Sequence, residues 1–191
     1  AKAVDGDVEE IRARHARMLE KLTTSGNLAA ATDGVVEYHA PMDATRTGFA
    51  ENQFDCIFSN SVLEHVPPDV IDAMYVEALR ILDANGVMFH SVNCGDHYAY
   101  VDRSIHQLHY LRYSDAQWTR WNNAFLYQNR MRAHVFVERA EDLGFQILLN
   151  TAKPSELRMQ QLASTPVHAQ FAGIPPERLC ITSVDFIARK I

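Results

Sequence analysis

The sequence of 191 residues lacks several features that would place it in a familiar class of protein. No apolar run approaches the roughly 18–20 residues of a membrane-spanning helix, and no signal peptide is visible. The three cysteines, Cys56, Cys94 and Cys180, form no C-x-x-C pair, which predicts reduced thiols in a cytoplasmic protein. The formal net charge is −6, whereas a free-standing nucleic-acid-binding protein usually carries a basic excess. These absences predict no membrane span and no nucleic-acid partner.

The first half of the chain shows an alternation of predicted strands and helices. Residues 1–6 resemble the tail of a strand that ends at Asp5, and Asp7 is placed to cap the following helix. Gly86 is placed to end a later helix in a left-handed turn. The apolar spacing predicts, in order, a helix at 8–22, strands at 35–38 and 54–58, a helix at 68–83 and a strand at 87–92. This order indicates an α/β fold with a mainly parallel sheet.

The segment from about 93 to 133 departs from this alternation. It is rich in His, Tyr, Trp, Asn and Arg, and it predicts an insert of helical turns with an aromatic core of its own. A helix at 134–143, ended by Gly144, and strands at 145–149 and 179–188 follow, with irregular or helical residues between the two strands. No repeat or long linker is visible, so the sequence predicts one domain over 1–191.

The stretch from Phe54 to Gly86 carries the most specific motif. It fits the pattern FD-x-I/V-x-S-x-x-V/L-LEH-V/I, followed by a helix that ends R-V/I-L-x-x-x-G. The matching residues are Phe54, Asp55, Ile57, Ser59, Val62, Leu63, Glu64, His65, Val66, Arg80, Ile81, Leu82 and Gly86. The motif resembles the class I S-adenosylmethionine (SAM) dependent methyltransferases, in the small-molecule group called type 11. The resemblance implies a Rossmann-like sheet of strand order 3-2-1-4-5-7-6 with an antiparallel last strand. It also implies SAM as cofactor and S-adenosylhomocysteine as product.

The glycine-rich loop G-x-G-x-G, a hallmark of that family, is not found in the sequence. None of the eight glycines is separated from another by a single residue. We therefore expect the first strand, its loop and its helix to be missing. That strand would bury about four apolar side chains worth roughly 6–12 kcal/mol, which is comparable with the roughly 5–15 kcal/mol of total stability of a typical domain. We expect a longer protein to continue upstream of Ala1.

The resemblance implies an adenosine side of the cofactor site. Asp5 would accept both ribose hydroxyls, although it could instead cap the following helix. Asp43 would accept the adenine amino group, or it forms an ordinary Asx turn. Met42 and Ala44 would flank the adenine ring.

The resemblance also implies a methionine side, after the strand at 54–58. Asn60 and Ser61 follow this strand, where a backbone carbonyl of the family approaches the methionine amino group; the alternative is a loop that only caps the strand. Glu64 and His65 could face the active site, or they lock the loop to the next helix.

Three residues at the end of the strand at 87–92 are candidates for acid–base catalysis. His90, Asp96 and His97 combine groups that titrate near neutrality with a carboxylate that can fix an imidazole tautomer. The alternative is that His90 packs within its strand and that Asp96 and His97 stabilise the loop. With His106 and His109 they could also supply metal ligands, but there is no HExxH and no tight cluster, so no metal site is predicted.

The insert supplies weaker candidates for acceptor binding. Arg130 and Arg132 would hold an anionic acceptor, or they pair with Glu138 and Glu141. Tyr110 belongs to an aromatic group that indicates a lid with its own core rather than a stacking surface.

The sequence as a whole predicts SAM-dependent methyl transfer to a small-molecule or glycan acceptor, with oxygen as the methylated atom. The alternative is a non-catalytic module of the same fold that binds or regulates. A Rossmann-type dehydrogenase is a third reading that nothing after residue 54 favours.

Overall fold

The computed structural model describes residues 7–191, which fall into two compact units divided after Asp43. The predicted strand tail at 1–6, with Asp5, lies outside the described residues. None of the helices in the described part has both the length and the apolar character needed to cross a membrane.

The N-terminal unit contains two helices, α1 (Val8–Ser25) and α2 (Leu28–Ala31). The predicted cap is confirmed, because the Asp7 carboxylate accepts a hydrogen bond from the Glu9 N–H at 2.9 Å. Gly26 has a φ of 62° and donates its N–H to the Leu22 carbonyl, so it ends α1 in a left-handed conformation. The predicted helix is therefore present and is three residues longer than its apolar pattern indicated.

The second unit contains a four-stranded sheet and the remaining helices. Its strands are β1 (Phe54–Asn60), β2 (Leu82–Asn93), β3 (Phe145–Asn150) and β4 (Ser183–Lys190), in the spatial order β1-β2-β4-β3. β1 pairs with β2 in parallel, and β4 is antiparallel to both of its neighbours, so three of the four strands share one direction. This arrangement confirms the α/β class and reproduces the 4-5-7-6 part of the expected strand order.

Helices pack on the sheet and complete the second unit. The helices are α3 (Pro68–Ile81), α4 (Asp115–Trp118), α5 (Ala133–Asp142), α6 (Glu156–Ala163) and α7 (Pro176–Leu179). Short 3-10 turns span Leu63–His65, His97–Tyr100, His109–Arg112 and Ala169–Phe171. The core lies between the sheet and helices α3 and α5, where alternate side chains of β2 meet those helices. Its large, fully buried members include Tyr75, Met88, Phe136 and Phe186.

The predicted strand at 35–38 is not formed. Val35 and Tyr38 are exposed at 83% and 78%, and the backbone there joins no sheet. A strand needs a neighbour to satisfy its N–H and C=O groups. In the described part of the chain the sheet ends at β1, so residues 35–38 have no strand to pair with and their apolar pattern does not decide their conformation.

The predicted role of Gly86 is also wrong. Helix α3 ends at Ile81 and β2 begins at the next residue, so Gly86 lies within β2 and its φ is not positive. Pairing with β1 jumps from Phe54–Leu82 to Cys56–Val87, which leaves residues 83–86 as a bulge. A Cβ atom on Gly86 would lie 2.9 Å from Leu82 Cδ2. Close approach inside the bulge, rather than a left-handed turn, therefore requires glycine here.

The insert has the aromatic core that its composition predicted. Trp118 is buried, stacks on Tyr113 at 6.4 Å between ring centroids, and meets the edge of Tyr110 at 5.6 Å. Its indole N–H donates to the Gln128 carbonyl at 3.1 Å. These contacts satisfy the polar handle of the indole and give the segment a fixed structure.

A buried carboxylate fastens the segment before β1 to α3. Glu77 Oε1 accepts hydrogen bonds from the Thr47 N–H at 2.8 Å and from its hydroxyl at 2.5 Å. Arg80 donates to both oxygens of Glu77 and to the Phe49 carbonyl at 2.8 Å. The hydrogen bonds from Arg80, followed by those from Thr47, lower the pKa of Glu77 to about 2.

The Glu77 contacts predict a defined acid sensitivity. The pKa of Glu77 is lower in the folded chain than in the unfolded one, where it lies near 4.5. Its contribution to the free energy of unfolding is therefore present above about pH 5 and is lost as the pH falls toward 2. Glu77→Gln should lower stability at pH 7 and flatten this part of the pH dependence in urea titrations. The exposed Glu141→Gln is the control, and equal curves for the two variants would contradict the prediction.

Candidate active site

The carboxyl ends of β1 and β2 form one polar edge of the sheet. Because the two strands are parallel, Asn60 at the end of β1 and Asn93 at the end of β2 lie on the same side of the fold. Ser61 follows with a φ of 53° and donates its N–H to the Ser91 carbonyl at 2.9 Å. In open α/β sheets, ligands bind at such carboxyl ends. This edge, which includes the predicted residues Asn60 and Ser61, is the candidate site.

The turn after β1 brings a buried carboxylate and an imidazole to this edge. Glu64 is 1% exposed, and its Oε1 accepts a hydrogen bond from the Asn93 N–H at 3.3 Å. Its Oε2 is buried and has no hydrogen-bond partner within residues 7–191. The Nδ1 atom of His65 lies 2.7 Å from the Tyr127 carbonyl, an acceptor, so Nδ1 carries the proton and Nε2 keeps its lone pair.

His97 enters the same cluster from the other strand end. Its ring centroid is 4.9 Å from that of His65, and its Nε2 is buried without a partner among the described residues. Burial, and then the nearby His65, lower the pKa of His97, while burial raises the pKa of Glu64. His97 is therefore uncharged at neutral pH. One ligand atom from each of Glu64, His65 and His97 lies within 4.8 Å of the other two.

Asp96 does not pair with its neighbour His97, as the sequence suggested, but approaches His109. Its Oδ1 accepts from the Tyr98 N–H at 3.0 Å, and its Oδ2 lies 3.5 Å from His109 Nδ1. Burial raises the pKa of Asp96, and the Tyr98 N–H offsets part of this effect. The two residues line a cavity of about 130 Å³ with the rings of Tyr113, Trp118 and Trp121. No local pattern joins positions 96 and 109, so sequence reasoning missed the pair.

His90 lies in the core rather than at the strand ends. Its Nδ1 is 2.7 Å from the Ser59 hydroxyl, and its ring packs against Tyr75 at 5.8 Å and Phe186 at 5.3 Å. Burial lowers the pKa of His90 to about 4. This is the packing that was weighed against catalysis in the sequence, and a catalytic role for His90 stays a prediction.

The position of His90 predicts destabilisation in mild acid. Its pKa is lower in the folded chain than the unfolded value near 6.5, so the unfolded chain binds the extra proton between about pH 6.5 and 4. Over this window the folded state should lose about 3 kcal/mol. His90→Phe should remove most of this loss in pH-dependent urea unfolding, with the exposed His15→Asn as control. An unchanged acid profile in His90→Phe would show that the ring is not buried as described.

The two predicted acceptor-binding arginines use their donors within the protein. Arg130 donates to the carbonyls of Tyr110 and Tyr113 and pairs with Asp115. Arg132 donates to the Cys94 carbonyl at 2.7 Å, the Leu179 carbonyl at 2.9 Å, the Ile181 carbonyl and the Tyr110 hydroxyl. Neither pairs with Glu138 or Glu141. Tyr110 itself is fully buried and donates to the Cys94 carbonyl at 2.6 Å. Binding of an acceptor by these three residues stays a prediction that their internal contacts do not favour.

Arg132 should therefore matter for stability more than for acceptor binding. Arg132→Met would leave the buried carbonyls of Cys94, Leu179 and Ile181 without this donor. At about 1–3 kcal/mol for each unsatisfied group, the free energy of unfolding should fall by at least about 3 kcal/mol. Urea unfolding against the exposed Arg103→Met would measure this. A loss no larger than that of the control would return Arg132 to the candidates for acceptor binding.

The predicted adenosine side belongs to the junction of the two units. Met42 and Asp43 are exposed residues at the end of the N-terminal unit, and Ala44 is the exposed first residue of the second. Asp5 lies outside the described residues. The contacts of these four residues with the cofactor stay predictions.

Comparison with known proteins agrees on one fold. Residues 12–90 match a family model described as a methyltransferase domain. A protein of Galdieria sulphuraria, provisionally named a sarcosine dimethylglycine methyltransferase, matches 90% of this chain at 16% identity and a TM-score of 0.50, over 63% of its own length. No curated sequence matches significantly.

Two further solved structures have the same degree of similarity. Geranyl diphosphate C-methyltransferase of Streptomyces coelicolor, solved with Mg²⁺, geranyl diphosphate and S-adenosylhomocysteine, covers 93% of this chain at 14% identity, over 59% of its own length, with a TM-score of 0.50. The [4+2]-cyclase SpnF covers 90% at 16% identity, over 60% of its own length, also at 0.50. The chain thus spans about three fifths of these three proteins.

Proposed function

We propose that this chain, which has the fold of the class I SAM-dependent methyltransferases, binds SAM and supports transfer of its methyl group to a small-molecule acceptor. The observation that carries the proposal is the polar edge at the carboxyl ends of the parallel strands β1 and β2, within a fold whose S. coelicolor neighbour was solved with S-adenosylhomocysteine. The activity proposed is that of the whole protein.

Methyl transfer makes modest chemical demands on such an edge. The sulfonium activates the methyl group and leaves as a neutral thioether, so alignment of the acceptor for in-line attack is the main task. Alignment alone can supply about 7–11 kcal/mol of barrier reduction. We assign the adenosine side to Asp5, Met42, Asp43 and Ala44. The methionine side is assigned to Asn60, Ser61 and His65.

Oxygen is the acceptor atom that the charge state of the edge favours. A hydroxyl must lose its proton on methylation, and a neutral imidazole can take it. His97 offers a lone pair on Nε2, because burial keeps the ring uncharged and no described residue bonds to this nitrogen. Of the three catalytic candidates, His97 is therefore preferred over His90 and Asp96. The acceptor class proposed is a hydroxyl-bearing small molecule or glycan.

A second function is favoured by one of the structural neighbours. SpnF matches as well as the methyltransferases do, yet it is named a cyclase. The fold therefore accommodates a different reaction, and a module that binds the cofactor without transferring methyl is the alternative for this chain. Cofactor binding and methyl transfer have to be measured separately.

Binding of S-adenosylhomocysteine to the full-length protein tests the first step. Asp43→Ala should weaken binding at least about tenfold in isothermal titration, because it removes a charged hydrogen-bond acceptor worth about 1.5–3 kcal/mol. Asp33→Ala is the matched control, since Asp33 is an exposed aspartate of the same unit that pairs only with Lys21 at the surface.

Absence of binding by the folded protein, or equal affinities for the two variants, would contradict the cofactor assignment. Incubation with methyl-labelled SAM and a panel of hydroxyl acceptors tests the second step. Binding without transfer to any member of the panel would favour the non-catalytic module.

A further inference from the structure

We propose that Glu64, His65 and His97 form a binding site for a divalent transition-metal ion, with Zn²⁺ as the representative. Two imidazoles and one carboxylate, with a further position left open, are a recurrent ligand set of catalytic zinc and non-haem iron sites. The sequence predicted no metal site, because position 97 lies more than thirty residues from the Glu64–His65 pair and no spacing motif joins them.

The distances suit a common ion. The three ligand atoms lie within 4.8 Å of one another, whereas ligands of a tetrahedral ion with bonds of about 2.0–2.2 Å are about 3.4 Å apart. His65 is the exposed member of the three. A small rotation of its side chain toward the two buried members closes the difference.

Two of the ligand atoms are buried in a way that needs explanation. Glu64 Oε2 and His97 Nε2 have no hydrogen-bond partner in the described part of the chain. Leaving a buried polar atom unpaired costs about 1–3 kcal/mol, so folded proteins rarely tolerate it. A single cation between the two atoms satisfies both.

The ligands are also held from behind, as metal ligands usually are. His65 donates Nδ1–H to the Tyr127 carbonyl at 2.7 Å, which fixes the tautomer that presents the Nε2 lone pair. The other oxygen of Glu64, Oε1, is held by the Asn93 N–H at 3.3 Å. The imidazole content favours Zn²⁺, Fe²⁺ or Co²⁺ over Mg²⁺, which prefers oxygen ligands.

Metal binding stands independently of methyl transfer, since it depends only on the three side chains. If both hold, a hydroxyl acceptor at the open position would have its pKa lowered by the ion. His97 would then be a ligand and not the base, and the ion would supply the acidification assigned above to the imidazole.

Titration of the metal-free full-length protein with Zn²⁺, against a chromogenic chelator, tests the site. One ion per chain should bind, and Co²⁺ should give visible absorption typical of a low-symmetry site. Mg²⁺ should not compete. Glu64→Gln keeps an Oε1 acceptor for the Asn93 N–H but removes the charged ligand, and His65→Asn keeps an N–H for the Tyr127 carbonyl but removes Nε2.

Each variant should lose at least about 100-fold in Zn²⁺ affinity, because loss of a direct ligand exceeds the 10–100-fold cost of losing an outer partner. His15→Asn, an exposed histidine outside the cluster, should bind as the unmodified chain does. No stoichiometric binding, or affinities of Glu64→Gln and His65→Asn equal to the control, would overturn the proposal. His65→Asn keeps the test decisive if Glu64→Gln fails to fold, because His65 is exposed.

Discussion

The parallel pairing of β1 with β2 is the constraint on which the rest of the structure depends. An unbroken register from Cys56–Val87 to Asn60–Ser91 sets which residues end at the common edge. A slip of one residue would turn every side chain of β2 to the opposite face. His90 would leave the core, and Asn93 would no longer meet the Glu64 carboxylate. Backbone pairing therefore decides where the polar edge forms, before any functional side chain is considered.

The insert completes this edge rather than decorating it. Its returning segment, residues 127–132, crosses the strand ends, where the Tyr127 carbonyl holds His65 and the Asn129 N–H donates to the Glu64 carbonyl at 2.9 Å. The side chain of Asn129 also donates to the Leu63 carbonyl at 2.7 Å. Further along, Arg132 ties the end of β2 to the segment before β4. The orientation of the imidazole and carboxylate thus depends on residues some sixty positions away.

Local patterns were sufficient where local physics decides the outcome. The motif beginning at Phe54 predicted β1 and α3, and the cap at Asp7 predicted the start of α1, because propensity, capping and apolar spacing act within a few residues. The strand at 35–38 failed for the opposite reason, since strand formation depends on a distant partner. Gly86 failed because a glycine after a helix serves a left-handed turn and a crowded bulge equally well.

The candidate site shows the same division at the level of single side chains. Adjacent Asp96 and His97 suggested one catalytic pair, but Asp96 is a helix-capping residue that turns toward His109, while His97 turns toward Glu64. Sequence adjacency within a 3-10 turn does not give two side chains a shared direction. The motif therefore specifies the strand and turn that are typical of a cofactor fold, whereas the meeting of one buried carboxylate with two imidazoles arises from tertiary packing. Acceptor chemistry depends on that meeting, which explains why a well-marked fold leaves the acceptor unmarked in the sequence.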